Sequence, residues 1–330
     1  MNDKEIMEVA KELAEKDFIV FAGTGVTGDT GIPRSWKRLL EELLKSASIN
    51  NINIDKVDPK EFPDIAQKIY DSLKRQNRED GYYGIIKKNL TPTMTPYSTQ
   101  EYDILLTTNW VVTTNFDTTF ESALDRKFET NEENKIPRID SLPDFKKENL
   151  FERESIVYLH GSVDERFIIF KTSDYENYYP SVSEKNGSKK LEEYLKYIYE
   201  NYRIVFIGFS FDDQYIRASF ENIYEELKRD DEIASPKPSH PPILDNICHY
   251  AFLPEVSSDN NDYSDEENKK LIKLRMEAEK LDKDLKSMNI KVIRYNNHIE
   301  WMNCFAKTRE LKNIEKKRYN IKKEVSYKNE

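Results

Sequence analysis

The sequence FIVFAGTGVTGDTGIPRSW, residues 18–36, sets the expected architecture of the chain. It begins with five apolar residues, a pattern typical of a buried strand, and continues into a turn rich in glycine. Four of the 9 glycines in the 330-residue chain lie in this turn: Gly23, Gly25, Gly28 and Gly31. Because glycine lets the backbone turn sharply and approach a ligand closely, we expect a binding loop at the carboxyl end of a strand.

Further apolar runs alternate with helical patterns along the chain. Strands are predicted at residues 111–116, 155–160, 203–209, 247–255 and 290–295. The segments between them have the spacing of amphipathic helices, and this alternation is typical of a parallel sheet covered on both faces. We therefore predict an α/β fold, a Rossmann-like parallel sheet of about six strands with helices on both faces.

The domain organisation follows from where the helical patterns cluster. Residues 48–108 contain mainly helical patterns and are predicted to form a helical insertion. One elaborated domain over residues 1–310 explains the order of the elements. The basic tail, residues 311–330, is nearly free of hydrophobic pattern and is predicted to be a frayed helix or disordered.

Composition and charge exclude several classes of function. The chain has 51 Lys+Arg against 61 Asp+Glu, a net charge of −10, and lacks the positive field that nucleic-acid binding uses. No apolar run approaches the roughly 20 residues of a membrane span, and the charged, amphipathic N-terminus does not resemble a signal peptide. We therefore expect a cytoplasmic protein with no direct nucleic-acid partner and no membrane partner.

The cysteines and histidines argue against a metal enzyme. Cys248 and Cys304 lie far apart with no CxxC pair, which fits a reducing compartment and excludes a four-thiolate zinc site within this chain. The four histidines show no HExxH or HxxxH spacing. We therefore predict that the protein contains no metal.

The glycine-rich turn is the first candidate site. Gly23-x-Gly25-x-x-Gly28 directly follows a predicted strand, as in loops whose backbone N–H groups hold a pyrophosphate. The next helix is predicted to start near Trp36 with Ser35 as its N-cap, and no second strand carrying an acid follows, which disfavours a plain dehydrogenase. The alternative is a glycine-rich surface turn without a ligand. If the loop binds a ligand, a valine at Gly25 is expected to block it sterically.

Polar residues follow two further predicted strands. In TTNFD, residues 113–117, Asn115 and Asp117 lie where the carboxyl end of a strand lines a ligand crevice. The alternative is that Asp117 caps the following helix and Asn115 merely tolerates an unusual loop conformation. In YLHGS, residues 158–162, the neutral imidazole of His160 can accept a proton at cellular pH, although a lone histidine is usually structural.

The fourth candidate is GFSFDD at residues 208–213, after a later predicted strand. Ser210 and Asp213 have the S-x-x-D spacing of a capping box. A helix start of this kind is also compatible with binding of a ribose or a phosphate.

Taken in order, these segments resemble the sirtuin pattern. That pattern has a GAG-type loop ending in GIP, a T-x-N-x-D strand end, a His-Gly pair and a late Gly-x-Ser, found here at residues 23–33, 113–117, 160–161 and 208–210. The TTNFD and LHGS forms, and FKTSDYENYY at residues 170–179, look more like the bacterial sirtuin-like NAD hydrolases of antiphage defence than like deacylases. Deacylating sirtuins have a zinc module with two CxxC pairs, which this chain lacks. The resemblance covers roughly residues 1–310.

The resemblance implies that the substrate is NAD+ and that the bond between nicotinamide and ribose is broken. The catalytic residues would be His160 as general base, Asn115 at the nicotinamide ribose and the attacking water, and Asp117 orienting the ribose or the loop. The NAD-binding positions would be Ala22, Gly23, Thr24, Gly25, Thr27, Gly31, Ile32, Pro33, Thr114, Gly208, Phe209 and Ser210. Among them, the loop at residues 23–31 would hold the pyrophosphate, and Ser210 with the Gly208 backbone would hold the adenosine ribose.

Three other functions stay open. A protein deacylase or ADP-ribosyltransferase would use the same NAD site with an acceptor, a sensor would bind NAD or ADP-ribose without turnover, and a scaffold would bind neither. Sirtuin-like defence enzymes commonly deplete NAD in assemblies with a sensor such as an ATPase or an Argonaute-like protein, or carry a fused sensor. No fused sensor is expected in the few residues after 310, so the resemblance implies activation by a partner or by homo-oligomeric self-assembly.

Overall fold

A seven-stranded parallel sheet forms the centre of the molecule. The computed structural model describes residues 1–28, 30–32, 35–130, 138–141, 154–164, 167–234, 248–256 and 265–328. The strands are β1 Phe18–Ala22, β2 Trp110–Thr113, β3 Arg138–Ser141, β4 Ser155–Tyr158, β5 Gly161–Ser162, β6 Phe167–Ile168, β7 Arg203–Ile207, β8 His249–Pro254 and β9 Ile290–Tyr295. Strands β5 and β6 pair as a separate antiparallel hairpin, and the other seven belong to the sheet.

The strand order in the sheet is β3-β4-β2-β1-β7-β8-β9, and all neighbouring pairs are parallel. The predicted Rossmann-like α/β fold is confirmed, and each of the six predicted strands is present. The additional strand, β3, is not predictable from its sequence RIDS, because a single apolar residue among four gives no apolar run.

Helices cover both faces of this sheet. They are α1 Asp3–Ala14, α2 Trp36–Ser46, α3 Phe62–Arg75, α4 Glu79–Leu90, α5 Thr99–Thr107, α6 Thr119–Thr130, α7 Thr172–Tyr178, α8 Pro180–Ser183, α9 Lys190–Asn201, α10 Gln214–Ala234, α11 Asp265–Ser287 and α12 His298–Lys328. Helices α1, α5, α6 and α12 pack on one face, and α9 and α10 pack on the other. Within the described ranges, no helix combines the length and the apolar composition needed to cross a membrane.

The central strand β1 shows how the sheet is buried on both sides. All five of its residues are buried. Because successive side chains of a strand point to opposite faces, Ile19 and Phe21 pack with α9 and α10, while Phe18 and Val20 pack with the helices of the other face. A continuous apolar run is therefore what this position in the sheet requires.

The helical insertion predicted at residues 48–108 divides into two parts. Helices α3 and α4 pack with α2 around a core of their own, which includes Leu40, Ile69 and Ile86. Helix α5 instead packs beside α6 against the sheet. At the other end of the chain, α12 runs to Lys328, so the described backbone of the tail is helical. The domain boundary at residue 310 stays a prediction.

The loops after the neighbouring strands β1 and β7 contact each other at the point in the sheet where the strand order changes direction. The backbone N–H of Gly25 donates to the carbonyl oxygen of Gly208, at 2.9 Å. A Cβ atom added at Gly25 would lie 2.7 Å from the Cα atom of Gly208, and one added at Gly23 would clash with the Gly208 carbonyl. A valine at Gly25 would therefore strike the protein's own backbone before it blocked a ligand. Contact between the two loops therefore requires glycine at positions 23 and 25.

This contact predicts that Gly25→Ala lowers the free energy of unfolding by about 1–3 kcal/mol, the usual cost of overpacking. The matched control is Gly84→Ala, because nothing lies within 4 Å of a Cβ atom at this exposed position in α4. The control variant should be unchanged or more stable by up to about 1 kcal/mol, since alanine favours helix. Chemical denaturation measures both values. Equal stability of the two variants would contradict the importance of the loop contact.

His249 at the start of β8 is a structural histidine. Its ring is buried against Tyr199, with 4.1 Å between ring centroids, and its Nδ1 accepts the backbone N–H of Ile204 at 3.1 Å. Burial, with a smaller contribution from the charge of Arg203, lowers the pKa of His249 from 6.5 to about 3. The folded protein therefore holds this ring neutral.

The lowered pKa of His249 predicts loss of stability in acid. As the pH falls below 6.5 the unfolded chain binds a proton at this position, whereas the folded protein does not until about pH 3. This group alone should lower the free energy of unfolding by about 2 kcal/mol between about pH 7.5 and about pH 5. The variant His249→Asn keeps an acceptor near Nδ1 but does not titrate, so its loss over this interval should be smaller by that amount. Identical pH dependence in denaturation experiments on the two proteins would contradict this assignment.

Candidate functional site

A small cavity lies at the carboxyl ends of β1 and β2, beside the glycine-rich loop. It is lined by Thr24, Ile32, Ser35, Trp36, Leu39, Leu90, Thr114, Asn115, Phe116 and Asp117. Five of these are predicted site residues: Thr24, Ile32, Thr114, Asn115 and Asp117. The cavity volume is about 20 Å³, room for one water molecule. The cavity must therefore widen before a nucleotide can enter.

Asn115 is the most distinctive group in the cavity wall. The side chain is buried, and its Nδ2 donates to the carbonyl oxygen of Gly23 at 3.3 Å. Its backbone N–H donates to the Thr113 hydroxyl at 3.0 Å. Among the described residues, its Oδ1 has no hydrogen-bond partner. A buried acceptor left without a donor is costly, so this oxygen marks a place for a hydroxyl or a water molecule.

The other predicted loop residues hold the loop in place. The Ala22 carbonyl oxygen accepts the Thr113 hydroxyl at 3.0 Å, and the buried Thr27 hydroxyl donates to the carbonyl oxygen of Thr24 at 2.8 Å. Gly31 has a φ of 78°, in the left-handed region that favours glycine. Pro33 lies outside the described residues. Among the described loop residues, Thr24 and Ile32 also line the cavity.

Behind Asp117 lies a buried cluster of oxygen atoms. The Thr119 hydroxyl is hydrogen-bonded to Oε1 of Glu101 and to Oδ1 of Asp117, which also accepts the backbone N–H of Thr119 at 3.2 Å. The bond to the Thr119 N–H means that Asp117 supports the start of α6, as one of the two interpretations of the sequence expects. Asp117 also lines the cavity, so its two possible roles are compatible.

Burial shifts the titration of both carboxyl groups in this cluster. Desolvation, with a further contribution from the charge of Asp117, raises the pKa of Glu101 to about 8. Desolvation also raises the pKa of Asp117, and the hydrogen bonds from Thr119 oppose that rise. Burial therefore favours the protonated form of Glu101 near neutral pH.

His160 follows β4, the strand that pairs with β2, and Asn115 follows β2. Strands β2 and β4 pair with Thr113 opposite Tyr158, so Asn115 and His160 each follow a paired residue by two positions. The His160 ring is fully buried, and its Nε2 is 2.7 Å from the Tyr179 hydroxyl. Burial lowers the pKa of His160 to about 3. The ring is neutral, but it is absent from the lining of the cavity that contains Asn115.

An aromatic wall encloses His160. The rings of Tyr175 and Tyr179 meet it edge to face, with centroids 5.6 and 5.9 Å away. The Tyr175 hydroxyl donates to Asp213 at 2.9 Å, and the Tyr175 ring stacks on Tyr215 at 4.4 Å. Within the described residues, Nδ1 of His160 has no hydrogen-bond partner. In this conformation His160 contacts these tyrosines and does not line the cavity at Asn115.

The hydrogen bonds of the segment at residues 208–213 differ from the capping box that its sequence predicts. Asp213 alone caps α10, because its Oδ1 accepts the backbone N–H groups of residues 215 and 216 at 2.9 and 3.1 Å. The capping-box prediction for Ser210 is wrong, since Phe211 has a φ of 62° and cannot begin a helix. Ser210 is exposed and accepts the N–H of Asp212 at 3.4 Å, while the Phe209 side chain is buried in the core.

The sequence interpretation missed Glu101, Thr119 and the tyrosines around His160. Ser98 and Glu101 have the S-x-x-E spacing of a capping box, and the structure contains that box at the start of α5. This spacing indicates the helix start but not the contact with Thr119, which depends on how α5 packs beside α6. In the described parts of the chain, no group of three or more His, Cys, Asp or Glu side chains is arranged to hold a metal ion, and the absence of a metal stays a prediction.

Comparison with known proteins agrees with this arrangement of segments. The family model for the SIR2-like domain matches residues 109–275, just over half of the chain and the part that contains Asn115, Asp117, His160 and Ser210. The chain is 27% identical over 305 residues to the NAD(+) hydrolase ThsA of Acinetobacter baumannii (strain 532279). The match covers 88% of this chain and 53% of that protein, so the chain spans about half the length of this relative. The extent of the family match shows that the chain belongs to the SIR2-like domain family.

Proposed function

We propose that the protein is an NAD+ glycohydrolase that cleaves the bond between nicotinamide and ribose. The observation that carries the proposal is the buried Oδ1 of Asn115, which lines the cavity and has no partner among the described residues. Membership of the SIR2-like domain family and the similarity to an NAD(+) hydrolase support the choice of substrate.

NAD+ would bind across the meeting point of the two loops. The nicotinamide ribose would lie at Asn115, with Asp117 orienting it, and the pyrophosphate would rest on the loop at residues 23–31. The backbone N–H groups of Gly23 and Gly25 already donate to the β7 end, at 3.0 and 2.9 Å, so they hold the loop. Exposed Ser210 would then receive the adenosine ribose.

Hydrolysis requires little covalent chemistry from the protein. Nicotinamide leaves as a neutral group with the bonding electron pair, and water attacks the oxocarbenium-like carbon that remains. Asn115 would position the ribose and this water, and His160 would accept the proton that the water releases. The products are ADP-ribose, nicotinamide and one proton, which balances the reaction without another reactant.

The described conformation would be a resting form of this enzyme. Nε2 of His160 is bonded to the Tyr179 hydroxyl, and the cavity at Asn115 has room for one water molecule. Activation would move residues 172–183, which carry the tyrosine wall, so that His160 reaches the substrate. We propose that a sensor partner, such as an ATPase or an Argonaute-like protein, or homo-oligomeric assembly drives this change in the cytoplasm, and that NAD depletion serves antiphage defence.

The proposal predicts that His160→Ala and Asn115→Ala each reduce NAD+ cleavage by about 10²- to 10⁴-fold, the usual effect of losing a general base or a positioning group. The double variant should be little worse than either single variant, because both groups act on one water molecule. The measurement is nicotinamide release by the purified protein, alone and with candidate partners.

The matched control is His249→Asn, which changes another buried histidine. His249 lies on β8, and β7 separates that strand from β1 in the sheet. It should lower stability and leave the turnover of folded protein near that of the wild type. Substantial turnover by His160→Ala would contradict the mechanism. NAD+ binding without nicotinamide release under any activating condition would favour a sensor, and release only with an acylated peptide would favour a deacylase.

The resting contact gives a second prediction. Tyr179→Phe removes the hydroxyl bonded to His160, and this should raise basal NAD+ cleavage by about two- to tenfold, the equilibrium effect of one hydrogen bond. The control Tyr175→Phe removes a similar hydroxyl that bonds to Asp213 instead. Basal rates measured without a partner should separate the two variants. A lower basal rate in Tyr179→Phe than in the control would contradict a restraining role for that hydroxyl.

A further inference from the structure

The Thr119 hydroxyl bridges two buried carboxyl groups, and this arrangement determines how many protons the three groups share. Oγ1 of Thr119 is within hydrogen-bonding distance of Oε1 of Glu101 and Oδ1 of Asp117. At most 1% of each of these three residues is exposed. A hydroxyl has one hydrogen and can donate to only one oxygen, so the second bond needs a proton on a carboxyl group.

The surrounding hydrogen bonds indicate which carboxyl group carries that proton. Oδ1 of Asp117 also accepts the backbone N–H of Thr119, at 3.2 Å, so this oxygen is an acceptor and not the donor to the Thr119 hydroxyl. Oε2 of Glu101 accepts the Ser98 N–H at 2.7 Å, which leaves Oε1 to hold the proton and donate it to Thr119. The Thr119 hydroxyl then donates to Asp117. The raised pKa of Glu101, about 8, agrees with this direction.

Within the described residues, Glu101 forms no ion pair with a lysine or an arginine. The Tyr158 hydroxyl of β4 interacts with both carboxyl groups of the cluster and with Glu121 of α6. Two cations on the helices packed against α5 form ion pairs with other carboxylates, Arg309 with Asp103 at 3.0 Å and Lys127 with Glu154 at 2.9 Å.

The same cluster joins the two halves of the candidate site. The Ser98 hydroxyl donates to the carbonyl oxygen of Val26 in the glycine-rich loop at 2.6 Å, and the Ser98 backbone N–H donates to Glu101. Glu101 therefore connects the loop after β1, through Ser98, with the segment after β2, through Thr119 and Asp117.

We propose that Glu101 is a positioning residue that carries a proton at neutral pH and, through Thr119, keeps Asp117 ionised and fixed in the cavity wall. The activity measurements below rest on the proposed NAD+ hydrolase function. When Glu101 ionises, the single hydroxyl hydrogen cannot serve two anions, and one carboxylate must turn away. Activity should therefore fall on the alkaline side.

The test compares kcat for NAD+ cleavage as a function of pH in the wild type, Glu101→Gln and Glu101→Ala. Glutamine donates an N–H to Thr119 as a protonated carboxyl group does, so Glu101→Gln should stay within about threefold of the wild type and lose the alkaline decline near pH 8. Glu101→Ala should lose about 10-fold or more in kcat with a smaller change in KM, because Asp117 is misplaced. The control Glu121→Gln should keep the alkaline decline.

Two results would overturn this role. One is a Glu101→Gln variant as inactive as Glu101→Ala, and the other is an alkaline decline that persists in Glu101→Gln. Infrared spectroscopy tests the proton without turnover, because a protonated carboxyl band at neutral pH should be present in the wild type and absent in Glu101→Gln. A wild type that shows the band but never cleaves NAD+ would refute the proposed function alone. An active wild type with no difference in this band would refute the role of Glu101 alone.

Discussion

The contact between Gly25 and Gly208 is the constraint on which the candidate site depends. The N–H to carbonyl bond of 2.9 Å joins the loops after neighbouring strands β1 and β7, at the point where the chain crosses the sheet. The loop held in this way offers the Gly23 carbonyl oxygen to the side-chain amide of Asn115 at 3.3 Å. The backbone contact between the loops after β1 and β7 thus sets the direction of the Asn115 Oδ1 atom. A side chain at either glycine would push the loops apart and release that amide.

The neighbouring strand ends provide two different environments for two polar groups. Asn115 borders a cavity, and its Oδ1 has no partner in the described part of the chain, whereas His160 is covered by Tyr175 and Tyr179. Uncovering the histidine exposes aromatic surface, at about 2 kcal/mol for each large ring that becomes fully exposed. In the proposed mechanism, the described conformation would therefore be favoured by the same tyrosines that cover His160. A ligand or a partner can reverse this preference only if it binds the open form more tightly by at least that amount.

The sequence predicts those features that depend on backbone direction and apolar pattern. The run at residues 18–22 indicates β1, and strand ends predict that Asn115 and His160 lie at one edge of the sheet, which the register of β2 and β4 confirms. Features that depend on how distant side chains pack are not predictable in this way. The cover over His160 comes from α7 and the residue after it, and the left-handed Phe211 moves the start of α10 past the expected cap. Each is a consequence of tertiary contact that local spacing does not encode.

The protonation of the buried carboxyl groups of Glu101 and Asp117 is also not predictable from local sequence, because it depends on the free energy of the tertiary contact between them. Two ionised carboxylates beside one hydroxyl would share a single hydroxyl hydrogen, and the desolvation and mutual repulsion of the two charges favour a proton on one of them. Keeping Glu101 neutral removes that cost and leaves one negative charge, on Asp117, beside the cavity. An apolar residue at position 101 would remove the desolvation cost too, but it would remove the acceptor of the Ser98 N–H and one of the two hydrogen bonds of the Thr119 hydroxyl. Glu101 therefore has a geometric role that can offset its cost in stability. It fixes the direction of the hydrogen bond donated to Asp117 and ties the loop after β1 to the segment after β2.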